Sequence, residues 1–398
     1  MIRKPGPGVL IAAAFIGPGT VTTCLRAGVE SGYSLLWALL LSVVATIVLQ
    51  EMAGRLGLVT RLGLPELIRK QVANGAGKLV MIGLVFVAVV FGNAAYEAGN
   101  IAGAVLGLEA VAGAAWAQYF PWITGAAAFA LLWSGRYKLL EGVFTVLIVL
   151  MSISFLLTAV LVKPDLAALA QGLLVPEMEA ASWPTALALV GTTVVPYNLF
   201  LYTSLVTEKW EEKRAALPEM RSDIALSVFL GGLVSMAILI TAAGSGITQL
   251  GSVGDLASAL EPVYGPSARY GLGIGLLAAG ISSAITAPLA AAYVARQSFG
   301  WKPDQRDAKF RSVWLLVLLF GICSLSLDFR PLEVIYFAQI ANAVLLPGIA
   351  VFLWWLSGSE QLLRADRNTR WQNVLTLLIL AVVTALAVKS ILSLIESV

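Results

Sequence analysis

Residues 184–206 read PTALALVGTTVVPYNLFLYTSLV, an apolar run with a proline in its middle. About 20 such residues suffice to cross a bilayer as a helix. Proline removes a helix hydrogen bond and clashes with the preceding turn. The helix is therefore expected to break near Val194-Val195-Pro196-Tyr197-Asn198. Residues 9–29, VLIAAAFIGPGTVTTCLRAGV, carry a matching fault at Ile16-Gly17-Pro18-Gly19-Thr20. Unwound backbone at membrane depth persists only where it is buried in protein or lines a cavity. Taken alone, Pro196 also fits an ordinary kink. Two interruptions at corresponding places in two halves point instead to a transporter's binding site.

That correspondence rests on the span count. Further apolar windows are residues 35–56, 79–106, 119–132, 139–162, 224–244, 270–295, 313–327, 334–356 and 374–395. The windows 119–132 and 313–327 need their flanks to span. The total is about eleven, and the broken windows are the first and the sixth. Each begins a set of five, and an odd number of spans between equivalent points inserts the sets in opposite orientations. The expectation is an all-α polytopic membrane protein with one transmembrane domain over residues 1–398. Its repeats would cover 9–162 and 184–356, followed by an extra helix at 374–395.

Basic residues test the count. Arg3 and Lys4 precede the first span, and Arg55, Arg61, Arg69, Lys70 and Lys78 fill the second connection. The fourth carries Arg136 and Lys138, and the sixth Lys209, Lys213, Arg214 and Arg221. Lys302, Arg306, Lys309 and Arg311 occupy the eighth, and Arg364, Arg367 and Arg370 the tenth. Odd-numbered connections are poor in Lys and Arg, and the fifth carries Asp165, Glu177 and Glu179. Basic loops concentrate on the cytoplasmic side, which places the N-terminus inside and the C-terminus outside, in a bacterial plasma membrane. The start, Met1-Ile2-Arg3-Lys4 and an apolar run, superficially fits a signal peptide. The Gly17-Pro18-Gly19 break favours a retained first helix.

Of 398 residues, 59% are hydrophobic and 12% charged, against about 25% charged in a soluble domain. Histidine is absent, and the two cysteines, Cys24 and Cys323, sit in apolar stretches. That inventory excludes a disulfide framework, a cysteine–histidine zinc cluster and imidazole-dependent catalytic triads. No enzyme, no cofactor and no nucleic-acid partner is called for. The implied partners are the lipid bilayer and a small ion or solute, with the oligomeric state left open.

The sequence resembles the NRAMP family, proton-coupled transporters of manganese, iron and similar divalent metals. The likeness rests on Ala27-Gly28 with Gly32-Tyr33-Ser34-Leu35-Leu36-Trp37, and on Leu49-Gln50 with Arg55-Leu56-Gly57-Leu58-Val59-Thr60. It extends to Gly191-Thr192-Thr193-Val194-Val195-Pro196-Tyr197-Asn198-Leu199, to Ser282-Ser283 with Ile285-Thr286, and to Gln339 with Leu346-Pro347. The resemblance implies a leucine-transporter-type fold, two inverted five-helix repeats plus an eleventh helix.

The family's metal site does not carry over intact. Its Asp-Pro-Gly-Asn motif is Gly17-Pro18-Gly19-Thr20 here, so the carboxylate is lost and the amide replaced. Val195 stands where the family has methionine, removing a soft sulfur suited to transition metals. Tyr197 replaces the family histidine and does not titrate near neutral pH. Glu97 stands for the family's proton-accepting Asp and Asn100 for a nearby Glu. The family's arginine pair in the ninth helix is represented at best by Lys309 and Arg311.

The expected substrate site is therefore Gly17, Gly19, Thr20, Thr192, Val195, Tyr197, Asn198 and Gln339, with Glu97 for proton coupling. Such neutral oxygens suit a largely hydrated divalent cation and argue against high-affinity manganese or iron selectivity. A helix resuming after Gly19 aims its positive end at the site and favours a carboxylate or small anion. A carrier of an anion or polar organic solute is thus an alternative, and a non-transporting receptor or structural protein is another. Glu97 is either a functional group in mid-span or a carboxylate wetted by headgroups at the span's outer end. Glu51 and Arg55 fit an i,i+4 pair at the boundary, Asp223 an interfacial charge, and Lys389 a snorkelling side chain. Cys24 fits a small buried hydrophobe, and the tryptophans fit interface anchors or packing.

Overall fold

The computed structural model describes residues 7–8, 16–71, 76–134, 138–177, 179–210, 215–247, 250–301, 306–326 and 330–396. Residues 9–15 of the first window, and Arg3, Lys4, Arg136, Lys213, Arg214 and Lys302, lie outside them.

Among the described residues, each of the eleven windows holds helix. The first holds α1 (Pro18–Ser31), the second α2 (Leu36–Thr60), and a short α3 (Leu64–Gln71) follows. The third is α4 (Ala76–Ala112), the fourth α5 (Phe120–Ser134) and the fifth α6 (Lys138–Leu161), with α7 (Leu166–Leu174) after it. The sixth is split into α8 (Trp183–Thr193) and α9 (Pro196–Lys209), and the seventh is α10 (Leu217–Gly244). Short α11 (Val253–Ser258) and α12 (Glu261–Tyr264) lead to α13 (Ala268–Phe299), the eighth. Then come α14 (Ala308–Leu325), α15 (Pro331–Ser357), a single turn α16 (Glu360–Leu363) and α17 (Arg370–Glu396). Most helices outrun their windows, because apolar windows register the hydrocarbon core while helices continue into the headgroups. Eight spans among the described residues are long and apolar enough to cross a membrane, α8 and α9 counting together as one.

Packing sorts the connections into two ends. Arg61, after α2, donates to the Thr207 carbonyl at 2.6 Å and to that of Trp210. Arg221 pairs with Glu51 at 2.9 Å, and Gly300 and Gly63 abut Arg69 and Gln297. The second, sixth and eighth connections therefore share one end, and Arg55 of α2 brings the tenth to it through Asn368. At the other, Ser31 meets Ser182 at 3.2 Å, and Gly172 of α7 lies against Tyr33. For the connections so joined, this grouping agrees with the alternation expected from the basic residues.

Arg55 is more than half of a boundary pair. It is 1% exposed, bonds Glu51 at 3.1 Å and Asn368 Oδ1 at 2.7 Å, and also reaches the Asp366 carbonyl. It thereby ties α2 to the segment before α17. Truncating one member of a buried ion pair costs about 3 kcal/mol or more. Arg55→Ala is expected to lower the melting temperature in detergent by several degrees; an unchanged melting curve would remove this role. Asp223 is likewise structural, accepting from the Gly8 amide at 2.7 Å. Lys389 does not simply snorkel, since its ammonium lies 4.4 Å from the Trp183 ring centroid.

Candidate functional site

Both breaks form where expected. Gly17 caps α1 in extended conformation, Pro18 takes the first helical position, and the Val21 amide closes the first turn on the Gly17 carbonyl at 3.1 Å. The helix thus restarts at Pro18 rather than after Gly19, because proline's fixed φ suits the first helical position, where no amide hydrogen is needed. Gly19 and Thr20 supply its free first-turn amides. In the sixth span, Val194 leaves the helical conformation and Val195 is extended between α8 and α9, and Pro196 opens α9 by the same logic.

The fold brings the breaks into contact. The Thr20 and Thr192 hydroxyls lie 2.8 Å apart across 172 residues of sequence, both fully buried. The Tyr96 side chain of α4 hydrogen-bonds Thr192, and its ring packs edge-on against Tyr197, centroids 5.6 Å apart. Gln339 of α15 covers Gly19: a Cβ there would come within 2.8 Å of the Gln339 amide carbon. Gly191, beside Thr192, abuts the Gln339 backbone carbonyl. Gly19, Thr20, Thr192, Tyr197 and Gln339 therefore form one buried constellation. Gly17 and Val195 shape the backbone at its edges. Asn198 sits in the first turn of α9, 1% exposed, with Oδ1 unpartnered.

Several buried polar atoms at this depth have no partner: Gln339 Oε1, Asn198 Oδ1, the Tyr197 hydroxyl, Glu97 Oε1 and Asn342 Nδ2. Buried polar atoms normally find partners, so such a cluster marks a site built for a polar guest. Among the described residues no three carboxylates or thiols gather as a metal cage.

Glu97 is fully buried, which removes the headgroup-wetted reading of it. Its Oε2 accepts from Asn100 at 3.2 Å, and its stem packs on Gly321 of α14. It lies near enough to Tyr197 for electrostatic interaction. Lys309 and Arg311 face Trp301 and Trp133 instead, with Arg311 4.1 Å from its ring centroid. They stand about 15 Å along α14 from Gly321, at 1.5 Å per residue. Cys24 is fully buried, as a small hydrophobe would be.

Tyr96 and Asn342 were not among the expected site residues. The signal for the first was present: Asn93, Tyr96, Glu97 and Asn100 recur at helical spacing on an otherwise apolar span, a polar stripe. Gln339 and Asn342 repeat it at i, i+3 on the tenth span.

On the odd-connection side, a cavity of about 420 Å³ reaches Thr22 and Thr23, one turn past the first break. Arg26, Glu30, Arg330, Glu333 and Tyr336 line its walls. The constellation itself is closed over: Thr20, Thr192, Tyr197, Asn198 and Gln339 are each at most 1% exposed.

The chain is similar to known proteins. Residues 8–393 match the family model described as natural resistance-associated macrophage protein-like. The divalent metal cation transporter MntH of Deinococcus radiodurans is 30% identical over 302 residues, 72% of this chain and 66% of that protein. The structure of a manganese transporter from Eremococcus coleocola superposes with a TM-score of 0.81 at 23% identity, over 97% of this chain and 85% of that one. MhsT in complex with L-phenylalanine superposes at 0.62 with 17% identity, over 98% and 99% of the two chains. At those identities the superpositions speak for the fold, which is of the leucine-transporter type.

Proposed function

The chain belongs to the natural resistance-associated macrophage protein-like family, and from that premise we propose a secondary transporter that moves a small divalent cation across a bilayer, holding it weakly and partly hydrated at the two helix breaks. The observation that carries this reading is the orientation of Gln339. Its Nε2 donates to the Ile335 carbonyl at 3.3 Å, and a carbonyl can only accept. The amide is thereby fixed with Oε1 turned elsewhere, buried and unpartnered beside Gly19. An orphaned acceptor needs a cation or a hydrogen of its hydration water. Asn198 Oδ1 and the Thr20 and Thr192 hydroxyls add oxygens of the same hard, neutral kind, which suits magnesium or manganese better than softer metals.

Stripping a divalent ion bare without carboxylates is prohibitively costly, since even one unpaired charge in low dielectric costs tens of kcal/mol by Born estimates. Retained water is therefore part of the proposal. Glu97 serves as the proton carrier. The five-helix repeats span 9–162 and 184–356, and the basic end faces the cytoplasm of a bacterial cell. The solute leaves the transport cycle chemically unchanged, so the protein is a carrier and not an enzyme.

One observation favours a second reading. No acidic residue lies in the first turn of α1, so the Gly19 and Thr20 amides present an unneutralised positive end. A small anion or zwitterion would be attracted there. Proteoliposome uptake separates the readings, with manganese, magnesium and calcium tested against bicarbonate, chloride and small amino acids. Carriage of manganese or magnesium at millimolar level, reduced at least tenfold by Gln339→Leu, is expected. Carriage of an anion or zwitterion alone would overturn the cation reading. Failure to carry or be stabilised by any of them would favour a non-transporting protein.

A further inference from the structure

The cavity beside the first break holds a second constellation, made of residues the central site does not use. Arg26 of α1 stands between two carboxylates: its Nε is 2.7 Å from Glu30 Oε1, and its Nη1 is 3.5 Å from Glu333 Oε1. Its guanidinium also lies 4.0 Å from the Tyr336 ring centroid. Thr185 of α8 donates to Glu30 Oε2 at 3.2 Å and meets the Tyr336 hydroxyl at 3.0 Å. Arg330 is the second positive group lining the cavity.

An ion pair on a wet wall would by itself mean little. Thr23 adds an independent observation. It lines the same cavity, it is 1% exposed, and its Oγ1 has no partner. A buried hydroxyl on a residue that lines a cavity lacks the partner such groups normally have, and a polar guest in the cavity would supply it.

We infer that this cavity is an entry site for a hydrated divalent cation, in which Glu30 and Glu333 are the ligands and Arg26 is a tethered cation that the arriving ion displaces. Glu30, Glu333 and Arg26 together carry one net negative charge, and withdrawal of Arg26 leaves the double negative charge that a divalent ion neutralises. The displaced guanidinium can slide across the face of the Tyr336 ring, which it already overlies, so it leaves the carboxylates without losing every partner. Thr23 takes a hydrogen of the ion's water shell, about 4.5 Å along the helix from Thr20. An ion staged here is one turn from the central site. The substrate class rests on the proposed divalent-cation function, whereas the site rests on its own residues.

Manganese binding to the purified full chain, read from the loss of the free-ion electron paramagnetic resonance signal, tests this in a Gln339→Leu background that disables the central site. One weakly bound manganese ion per chain is expected. Adding Arg26→Gln should tighten it roughly tenfold, and adding Glu30→Gln with Glu333→Gln should abolish it. Arg26→Lys, which keeps the charge but loses the fork, should tighten it less and serves if Arg26→Gln fails to fold. No bound ion in the background protein, no tightening without Arg26, or an ion that survives the double Glu→Gln change would overturn the inference. Failure of the unmutated chain to transport manganese or magnesium would sink the transport reading instead, and would leave this binding result standing or falling alone.

Discussion

Valine in place of Gly191 is expected to cut transport by well over tenfold while the protein still inserts and folds. Gly191 lies on α8 immediately before Thr192, where a Cβ would collide with the Gln339 backbone carbonyl and stand 3.0 Å from the Ala343 Cβ. Backbone cannot swing aside as a side-chain tip can, so α15 must shift bodily away from α8. That shift carries Gln339 off Gly19 and separates the orphaned amide oxygen from the Thr20–Thr192 pair. Overpacking of this kind costs about 1–3 kcal/mol, little enough to leave folded protein for assay. Gly348→Ala on the same helix is the control, because its added Cβ meets nothing within 4 Å. Proteoliposome uptake of manganese or magnesium is the readout. Near-normal uptake by Gly191→Val would show that the close approach of α8 and α15 does not position the site.

The second large effect concerns Glu97. Glu97→Gln should eliminate the part of uptake driven by an imposed pH gradient and spare exchange of solute in its absence. Glutamine keeps the length and planarity of the side chain, and its oxygen can still accept from Asn100. It cannot bind and release a proton. The position is fully buried and packed against Gly321, so an uncharged isostere should not disturb the helices around it. Uptake that responds to the gradient as before would mean the proton travels elsewhere. Equal loss of gradient-driven uptake and exchange would assign Glu97 to substrate binding rather than to coupling.

The central site was only partly legible in sequence. Gly19, Thr20, Thr192, Tyr197 and Gln339 could be named because the breaks and the family likeness marked them, and the structure gathers them. Tyr96 escaped because a tyrosine in an apolar span reads as packing until its neighbour across the bundle, Thr192, is known. Arg26, Glu30 and Glu333 escaped for a similar reason. Arg26 and Glu30 form an unremarked i,i+4 pair, and Glu333 joins them from a helix more than 300 residues later. Arg55 read as a local pair and proved to be a long-range tie, because spacing reveals neighbours on one helix and nothing beyond it.

The sequence by itself determined that the chain spans a bilayer with about eleven helices, and where two of them break. Hydropathy and proline are local properties, and lipid enforces them, because backbone left unbonded in hydrocarbon is too costly to survive. The alternation of basic loops likewise followed from residue content alone. Only the tertiary structure decided that the breaks touch, that the Gln339 amide lies over Gly19 with its oxygen unpartnered, and that Glu97 is fully buried. Those facts depend on close backbone approach between remote helices at glycines such as Gly191 and Gly321. Such approach is set by packing across the whole bundle, and no window of sequence contains it.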